Sequence, residues 1–404
     1  MTGAAGAGAG VPRDFPDGWF AHGHPAELYE RLREPGGLVR HPAPPDGVLW
    51  IAGGHAEVHA AAADPAAFRS ADGILLAEIG HAYDAPPTIM HTDPPDHTRY
   101  RALVAPAFRP SVTRRLEGAV RERVRALLAP VAAGRAFDAV GELAVPLPLQ
   151  VICALLGVPE DDWRRFHRWT EAIVPGAAEG LSEGERDALR VECGTYLLGT
   201  AHERRADPRD DVISRLALAE LDGDRLTDLE LVMFLIQLLV AGNETTRHAI
   251  SGGLLAFAER PDQWAALRAR PEELLPTAVE EILRWTSPVV YFLRTATRAV
   301  TLGGTDVAPG DRVMLLYGSA NRDPAAFGPD ADAFDVARRP EASGLAFGFG
   351  PHFCLGAALA RMEIRILLEE LLACREEGLA LAGTPAYNGS SVVTGLRHCA
   401  LTPA

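Results

Sequence analysis

Apolar residues recur at a helical spacing through much of the chain, and the longest such segment runs from Thr227 to about Arg260. It opens with the pattern Thr227-Asp-Leu-Glu230, which is that of a capping box, and it ends before Pro261. A helix of roughly 30 residues is about 50 Å long, which is the width of a sizeable folded protein. The pattern therefore predicts a helix that crosses the whole molecule.

Helical periodicity dominates from about residue 96 to residue 284, whereas strand patterns are short and few. We expect strands over 48–51, 293–302 and 312–317, and a further helix over 55–63. Residues 1–12 are a low-complexity Gly/Ala segment that we expect to be a flexible tail. No linker composition separates the segments after it. The sequence therefore predicts a mainly α fold in which residues 13–404 form one domain.

Composition and charge exclude several classes of protein. The 404 residues include 48% hydrophobic ones, and the net charge of −15 disfavours nucleic-acid binding, because phosphate contacts need clustered Lys and Arg. Five scattered cysteines without a CxxC pair suit a reducing compartment. The apolar stretch 231–242 is interrupted by Gln237 and is too short to span a bilayer. We expect a cytoplasmic protein without a signal peptide or membrane anchor.

Cys354 stands in a distinctive run, Phe-Gly-Phe-Gly-Pro-His-Phe-Cys-Leu-Gly over residues 347–356, directly before a helix-like segment. The amino terminus of a helix favours a thiolate over a thiol, and the glycines allow bare backbone to approach a flat ligand. The alternative is a buried structural cysteine beside a turn. The whole run favours an anionic sulfur ligand, for which haem iron is the simplest partner.

This run resembles the haem-ligand loop of the cytochrome P-450 superfamily, and the chain is similar to its soluble bacterial, actinobacterial members over about residues 13–400. The resemblance implies an α-rich triangular prism with small β-sheets and a haem b whose iron is bound by Cys354. Basic residues would meet the haem propionates, although each could instead be an ordinary solvated charge. The implied haem contacts are His97, Arg101, Ala241, Gly242, Arg294, Phe347, Gly348, His352 and Gly356.

The centre of the long predicted helix is unusual for a helix, because Gly242 and two β-branched threonines weaken it. Phe234, Ala241 and Thr245 share one face, where small residues leave room for a flat ligand. The resemblance makes this the oxygen-binding groove, with Glu244 and Thr245 as the acid and alcohol that steer protons to dioxygen. The alternative is that the threonine bonds its own helix and the glutamate is merely solvated.

Two further features follow from the resemblance. Glu281 and Arg284 are similar to the structural helix pair of the family, which an arginine downstream clamps, here Arg338 or Arg339. Electrons would come from NAD(P)H through an external ferredoxin reductase and ferredoxin to a monomeric protein. An acidic electron donor would need a basic patch on this protein. The alternative is that the arginines concerned are scattered charges that only aid solubility. The candidates for that patch are Arg99, Arg109, Arg114, Arg115 and Arg361.

The function that the resemblance implies is monooxygenation, in which one oxygen atom from O₂ enters a small apolar organic substrate by hydroxylation or epoxidation. We favour a tailoring role in secondary metabolite biosynthesis over sterol or fatty-acid hydroxylation. A haem-thiolate protein that only binds ligands, or one driven by peroxide, is the other alternative. Tyr291 and Gln237 offer polar groups to a substrate, or they only pack. The predicted pocket residues are Phe234, Gln237, Leu238, Val290, Tyr291 and Val392.

Overall fold

The computed structural model describes residues 19–34, 37–41, 44, 46–80, 86, 88–174, 180–221 and 223–404, so the predicted tail over residues 1–12 lies outside the described residues. Helices account for most of the described chain. They are α1 Ala26–Arg33, α2 His55–Ala63, α3 Asp96–Val104, α4 Pro110–Ala132, α5 Pro146–Leu156, α6 Trp163–Ile173, α7 Glu183–Ala206, α8 Val212–Ala217, α9 Asp228–Glu259, α10 Pro261–Ala269, α11 Pro271–Thr286, α12 Tyr317–Ala320, α13 Pro324–Phe327 and α14 Ala357–Cys374.

The strands are short and form small sheets. They are β1 Leu38–Arg40, β2 Leu49–Ala52, β3 Phe68–Arg69, β4 Phe137–Asp138, β5 Glu220–Leu221, β6 Asp224–Arg225, β7 Tyr291–Ala296, β8 Val300–Leu302, β9 Thr305–Val307, β10 Arg312–Leu316, β11 Leu379–Leu381, β12 Ala386–Tyr387, β13 Leu396–His398 and β14 Ala400–Pro403. The largest sheet has the order β1-β2-β10-β7-β3, in which β10 pairs parallel to β2 and antiparallel to β7. The sequence predicted β2 and β10 to within one residue at each end.

The strand expected over 293–302 is wrong as a single element. Strand β7 ends at Ala296, and β8 pairs with β9 in a separate two-stranded hairpin. The amide of Ala296 still donates to the Asp311 carbonyl and that of Thr297 to the Ala67 carbonyl, each at 2.8 Å and in register with the neighbouring strands. The chain then bends at residues 297 and 298, although the sequence continues with residues that favour strands.

The predicted long helix is confirmed as α9. Its capping box is formed, because the Thr227 hydroxyl accepts from the Glu230 amide at 3.3 Å and the Glu230 carboxylate accepts from the Thr227 amide at 2.8 Å. Beyond its middle the helix is almost entirely buried, and it packs against α5, α7 and α11. Strand β7 and the loop before α14 supply the remaining sides of the candidate site.

Within the part of the chain that the structure describes, two segments are long and apolar enough to cross a membrane by length and composition, namely residues 139–156 and α9. The first is 78% buried inside the protein, and the second packs among other helices. The core helix of a soluble protein meets the same criterion. The apolar composition of these two segments is therefore not evidence for a helix that spans a membrane.

One buried carboxyl makes stability depend on pH. Glu363 on α14 is 1% exposed, its Oε2 has no hydrogen-bond partner among the described residues, and burial raises its pKa to about 8. The unfolded chain ionises this group near pH 4.5, so unfolding releases a proton between pH 4.5 and 8. The free energy of unfolding should fall by roughly 3–5 kcal/mol across this window because of Glu363.

Denaturation of the Glu363→Gln variant between pH 5 and 8.5 tests this expectation. The variant should be the more stable protein at pH 8.5, and its stability should fall less as the pH rises. The control is Glu377→Gln, which removes an exposed carboxyl just beyond the same helix. If Glu363→Gln and the parent protein lose stability equally over this range, the carboxyl is not held neutral in the fold.

Candidate active site

Cys354 lies just before α14 on a loop that depends on glycine. Gly348 and Gly350 have φ angles of 68° and 70°, in the left-handed region. The Cys354 amide donates to the Phe347 carbonyl at 3.0 Å, which closes the loop, and a side chain at Gly350 would collide with the backbone of Ala62 on α2. Of the five cysteines, all in the described residues, Cys354 is the exposed one. The loop therefore presents one accessible sulfur on a constrained backbone.

The pKa of Cys354 is raised, contrary to the expectation of an acidic thiol. The residue is accessible to water, yet protein surrounds its sulfur on most sides, and this burial is the largest influence. The amides of Gly356 and Ala357 and the charges of Arg101 and Arg361 lower the pKa by less. The helix terminus thus favours the thiolate, as predicted, but burial outweighs this effect in the protein alone. Coordination to a metal cation would reverse the balance, because ligation deprotonates a thiol.

Four basic side chains from three separate elements meet beside this loop. His97 and Arg101 belong to α3, Arg294 to β7, and His352 to the loop itself. The rings of His97 and His352 are 4.2 Å apart between centroids, and burial followed by the charges of Arg294, His97 and Arg101 lowers the pKa of His352 to about 2. His97 and Arg294 are buried, and no carboxylate of the described residues forms a salt bridge with any of the four.

The middle of α9 has an open face and a packed face. Ala241 is exposed although it lies inside the longest helix, and the Thr245 hydroxyl donates to the Ala241 carbonyl at 2.9 Å, which is an ordinary intrahelical bond. Gly242 is on the packed side, since a Cβ there would lie 2.5 Å from the side chain of Ile152 on α5. Its small size lets α5 approach α9, and the contact of Gly242 with the haem stays a prediction.

Glu244 is a buried ion-pair partner, so the alternative of a merely solvated carboxylate is wrong. Its Oε2 accepts from Nη2 of Arg247 at 2.6 Å and lies 3.6 Å from Nε2 of His248, while its Oε1 has no partner among the described residues. Burial acts to raise its pKa, but Arg247, His248 and His167 together outweigh burial and lower it. Glu244 is thus a carboxylate held one residue before Thr245.

The Glu281 and Arg284 side chains form a bidentate pair at 2.7 Å, and both are buried. Arg284 also donates to three main-chain carbonyls of the segment 321–333. Arg338 lies 3.4 Å from Glu281, whereas Arg339 is exposed and pairs with Glu273. Of the two arginines predicted as the clamp, the structure selects Arg338.

The predicted pocket residues divide into two groups. Val290 and Tyr291 are 0% and 2% exposed within a closed apolar cluster, and the Tyr291 hydroxyl accepts from the Leu76 amide at 3.3 Å, so both pack and do not line an open site. Gln237 lies one turn before Ala241 on α9, and its Oε1 is buried without a partner among the described residues.

The other three predicted pocket residues differ in how far they are buried. Phe234 is buried against Tyr100 at 5.2 Å between ring centroids, whereas Leu238 is only partly buried. Val392 is half-buried, and its carbonyl accepts from the Val290 amide at 2.9 Å. The loop that carries Val392 is therefore fixed to the chain just before β7.

Carboxylates offset much of the predicted basic patch. Arg99 pairs with Asp96 at 3.1 Å, Arg115 with Asp210 at 3.8 Å, and Arg361 with Glu280 at 2.5 Å. Arg361 also covers the ring of Phe347 at 4.6 Å. Arg109 and Arg114 are exposed.

Sequence reasoning missed three polar residues around Glu244. Arg247 and His248 follow it at i+3 and i+4 on α9, and Asn388 contacts His248 from the C-terminal part of the chain. The helical spacing of the first two was visible in the sequence and could have indicated the ion pair. No sequence signal indicates the contact of Asn388, which is 140 positions away from His248.

Comparisons with known proteins agree with this geometry. The sequence model of the family described as cytochrome P450 matches residues 135–374. Cytochrome P450 130 of Mycobacterium tuberculosis is 42% identical over 87% of this chain and 88% of its own length. A methyl-branched lipid omega-hydroxylase of Mycobacterium bovis is 46% identical over 69% of this chain and 66% of its own length.

Among solved structures, the Mycobacterium marinum cytochrome P450 CYP268A2 in complex with pseudoionone superposes with a TM-score of 0.89 and 32% identity, covering 97% of this chain and 99% of that one. The predicted mainly α fold with small sheets is confirmed by this match. The chain therefore belongs to the cytochrome P450 family, whose cofactor is a haem with a thiolate ligand, and it is an oxidoreductase of the monooxygenase class.

Proposed function

We propose that this protein binds haem b through Cys354 and inserts one oxygen atom from O₂ into an apolar organic substrate. One observation carries the proposal. Cys354, whose sulfur is exposed, lies beside basic side chains from distant parts of the sequence, because the charge of Arg101 acts on its thiol and the rings of His97 and His352 are 4.2 Å apart. In the proposed arrangement, the open face of α9 at Ala241 forms the other wall of a cleft at this loop. A flat dianionic macrocycle with a metal centre is the ligand that uses the sulfur and the basic groups together.

The basic side chains fit the two propionates of this cofactor. Arg294 is buried, and among the described residues its guanidinium donates one hydrogen bond, from Nη1 to the carbonyl of Leu293 at 2.8 Å. A buried guanidinium without an anion is costly, and so is a cluster of four basic groups. His97 and Arg101 on α3 would meet the propionates together with Arg294 and His352. When bound, the haem supplies the activation of dioxygen.

The chain's own residues would then bind substrate and supply protons. The half-buried Leu238 and Val392 offer apolar contacts, and Oε1 of Gln237 offers one acceptor for a hydroxyl or amide group of the substrate. Thr245 can turn its hydroxyl from the Ala241 carbonyl toward the cleft. Glu244, an ionised carboxylate one residue away, would take up a proton from solvent and pass it to that hydroxyl.

Replacing Thr245 by alanine tests the proton-delivery role. The Thr245→Ala variant should keep the wild-type spectrum of the reduced carbon monoxide complex, because sulfur ligation is untouched. The product formed per NADPH oxidised should fall roughly tenfold, with the missing electrons recovered as peroxide. The control is Thr246→Ala, which removes the adjacent but buried hydroxyl. Full conversion of electrons to product in Thr245→Ala would show that this threonine is structural.

For the substrate class we propose a role in tailoring of natural products, with hydroxylation of lipids as the second candidate. The apolar pocket residues with a single free acceptor support a largely hydrocarbon molecule that carries one or two polar groups. The second candidate is favoured by the 46% identity with a methyl-branched lipid omega-hydroxylase. Titration of both compound classes against the low-to-high spin shift of the ferric protein distinguishes them, since a ligand that displaces water from the cleft produces that shift.

We further propose a cytoplasmic monomer of one domain that receives electrons from NAD(P)H through a ferredoxin reductase and a ferredoxin. The net charge of −15 requires that an acidic donor meet a local basic surface. Arg109 and Arg114 are the exposed arginines of the predicted patch that form no salt bridge with a carboxylate of the described residues.

A further inference from the structure

A polar connection runs from Glu244 to the loop between β12 and β13, which we call the 388–395 loop. Glu244 accepts from Nη2 of Arg247 at 2.6 Å, and the same Nη2 lies 3.3 Å from Nε2 of His248. That Nε2 also lies 3.3 Å from Nδ2 of Asn388. Four side chains thus form a continuous chain of contacts, and three of them are within one turn of α9.

Three polar groups converge on Nε2 of His248. Oδ1 of Asn388 accepts from the amides of Ser390 at 3.2 Å and Gly395 at 3.3 Å, so Nδ2 is the nitrogen that faces His248. Nε2 of His248 lies 3.3 Å from this Nδ2 and from Nη2 of Arg247, and 3.6 Å from Oε2 of Glu244. The Nδ1 atom on the other side of the ring is buried without a partner among the described residues. Nε2 is therefore the one atom through which Asn388 is linked to the ion pair.

Asn388 also organises the loop itself. Besides the two bonds that it accepts, it donates from Nδ2 to the Val393 carbonyl at 2.9 Å. Oγ of Ser390 accepts from the amides of Val392 and Val393, and these bonds remain within the loop. The His248 ring is buried flat against Gly395, where a Cβ would collide with it. The 388–395 loop and α9 therefore pack against each other at His248.

We propose that Asn388 and His248 are positioning residues that couple the 388–395 loop to the Arg247–Glu244 ion pair. This inference rests on the proposed function, in which Val392 of the loop faces the substrate and Glu244 supplies protons. A substrate that presses on the loop would then move His248 against Arg247 and weaken or strengthen the bond between Arg247 and the carboxylate. Proton supply would then depend on whether a substrate is bound, and this dependence would reduce the fraction of electrons that is lost as peroxide.

Coupling between two sites is reciprocal, so a change at Glu244 should alter the stability of the 388–395 loop. The test is amide hydrogen exchange, followed by mass spectrometry, on the haem-loaded protein without substrate. In Glu244→Gln the ion pair is lost at constant shape, and exchange over residues 388–395 should become roughly tenfold faster. Glu244→Asp keeps the charge, and it should give a smaller increase.

Three further variants define the outcome. Thr245→Ala changes the adjacent side chain without touching Arg247 or His248, and it should leave loop exchange unchanged. Ser390→Ala should loosen the loop directly, and Glu244→Gln should still add its full effect in that background. In His248→Leu the connection is cut, so Glu244→Gln should add nothing.

Loop exchange that stays within twofold of wild type in both Glu244 variants would overturn the coupling, since a merely structural Asn388 would not respond to Glu244. An equal increase in Thr245→Ala would overturn it as well, because the effect would then be a general loosening of α9. No step of this measurement requires turnover. A failure of the proposed monooxygenation would appear instead in the carbon monoxide spectrum, so the two failures are distinguishable.

Discussion

Replacing Cys354 by serine should reduce turnover to the background rate and abolish the strongly red-shifted band of the reduced carbon monoxide complex. The hydroxyl of serine occupies the same constrained position, since the Cys354 amide is fixed to the Phe347 carbonyl at 3.0 Å. It lacks the soft anionic sulfur that donates electron density to the iron. The loss should therefore be chemical and not a consequence of a displaced loop.

The matched control is Cys374→Ser, at the far end of α14. Cys374 is half-buried, and its sulfur contacts only the Leu371 carbonyl at 3.6 Å among the bonds of the described residues. This variant should keep both the band and the activity. Retention of the red-shifted band in Cys354→Ser would show that another group is the ligand.

Replacing Glu281 by glutamine should lower the free energy of unfolding by about 3–5 kcal/mol, the usual cost of breaking a buried ion pair by removing one partner. Glu281 holds Arg284 at 2.7 Å and Arg338 at 3.4 Å, and both arginines are buried. The amide would leave Arg284 without its ion-pair partner, whereas Arg338 would keep Asp330 at 3.0 Å. Chemical denaturation of the haem-loaded protein measures the loss.

Glu273→Gln is the control on the same helix. Glu273 is exposed and pairs with Arg270 at 3.3 Å and Arg339 at 3.1 Å, so its removal should cost less than about 1 kcal/mol. Equal losses in the two variants would mean that burial does not determine the strength of the Glu281 pair. A large loss in Glu281→Gln alone would support its structural role.

The sequence could predict those parts of the site that depend on local chemistry. The capping box at Thr227 begins α9 because the bonds that stabilise it lie within four residues. The loop at Cys354 was recognisable because its glycines occupy left-handed positions that other residues avoid. In both cases, a short stretch of chain contains all the groups that determine its conformation.

The sequence could not predict features that distant contacts decide. Strand β7 ends at Ala296, where the chain bends and β8 pairs with β9 instead, although the residues that follow favour strands. Tyr291 packs because the Leu76 amide binds its hydroxyl, and Gly242 accommodates a side chain of α5. The pKa of Cys354 depends on how much protein surrounds the sulfur, which a sequence pattern does not report.

The most direct test of thiolate ligation by Cys354 is the difference spectrum of the dithionite-reduced, haem-loaded wild-type protein with and without carbon monoxide. If Cys354 is the ligand, this spectrum shows the strongly red-shifted absorption band of a thiolate-bound haem. A band at the ordinary position of a haem with a nitrogen ligand would contradict the assignment of Cys354 and, with it, the proposed monooxygenation.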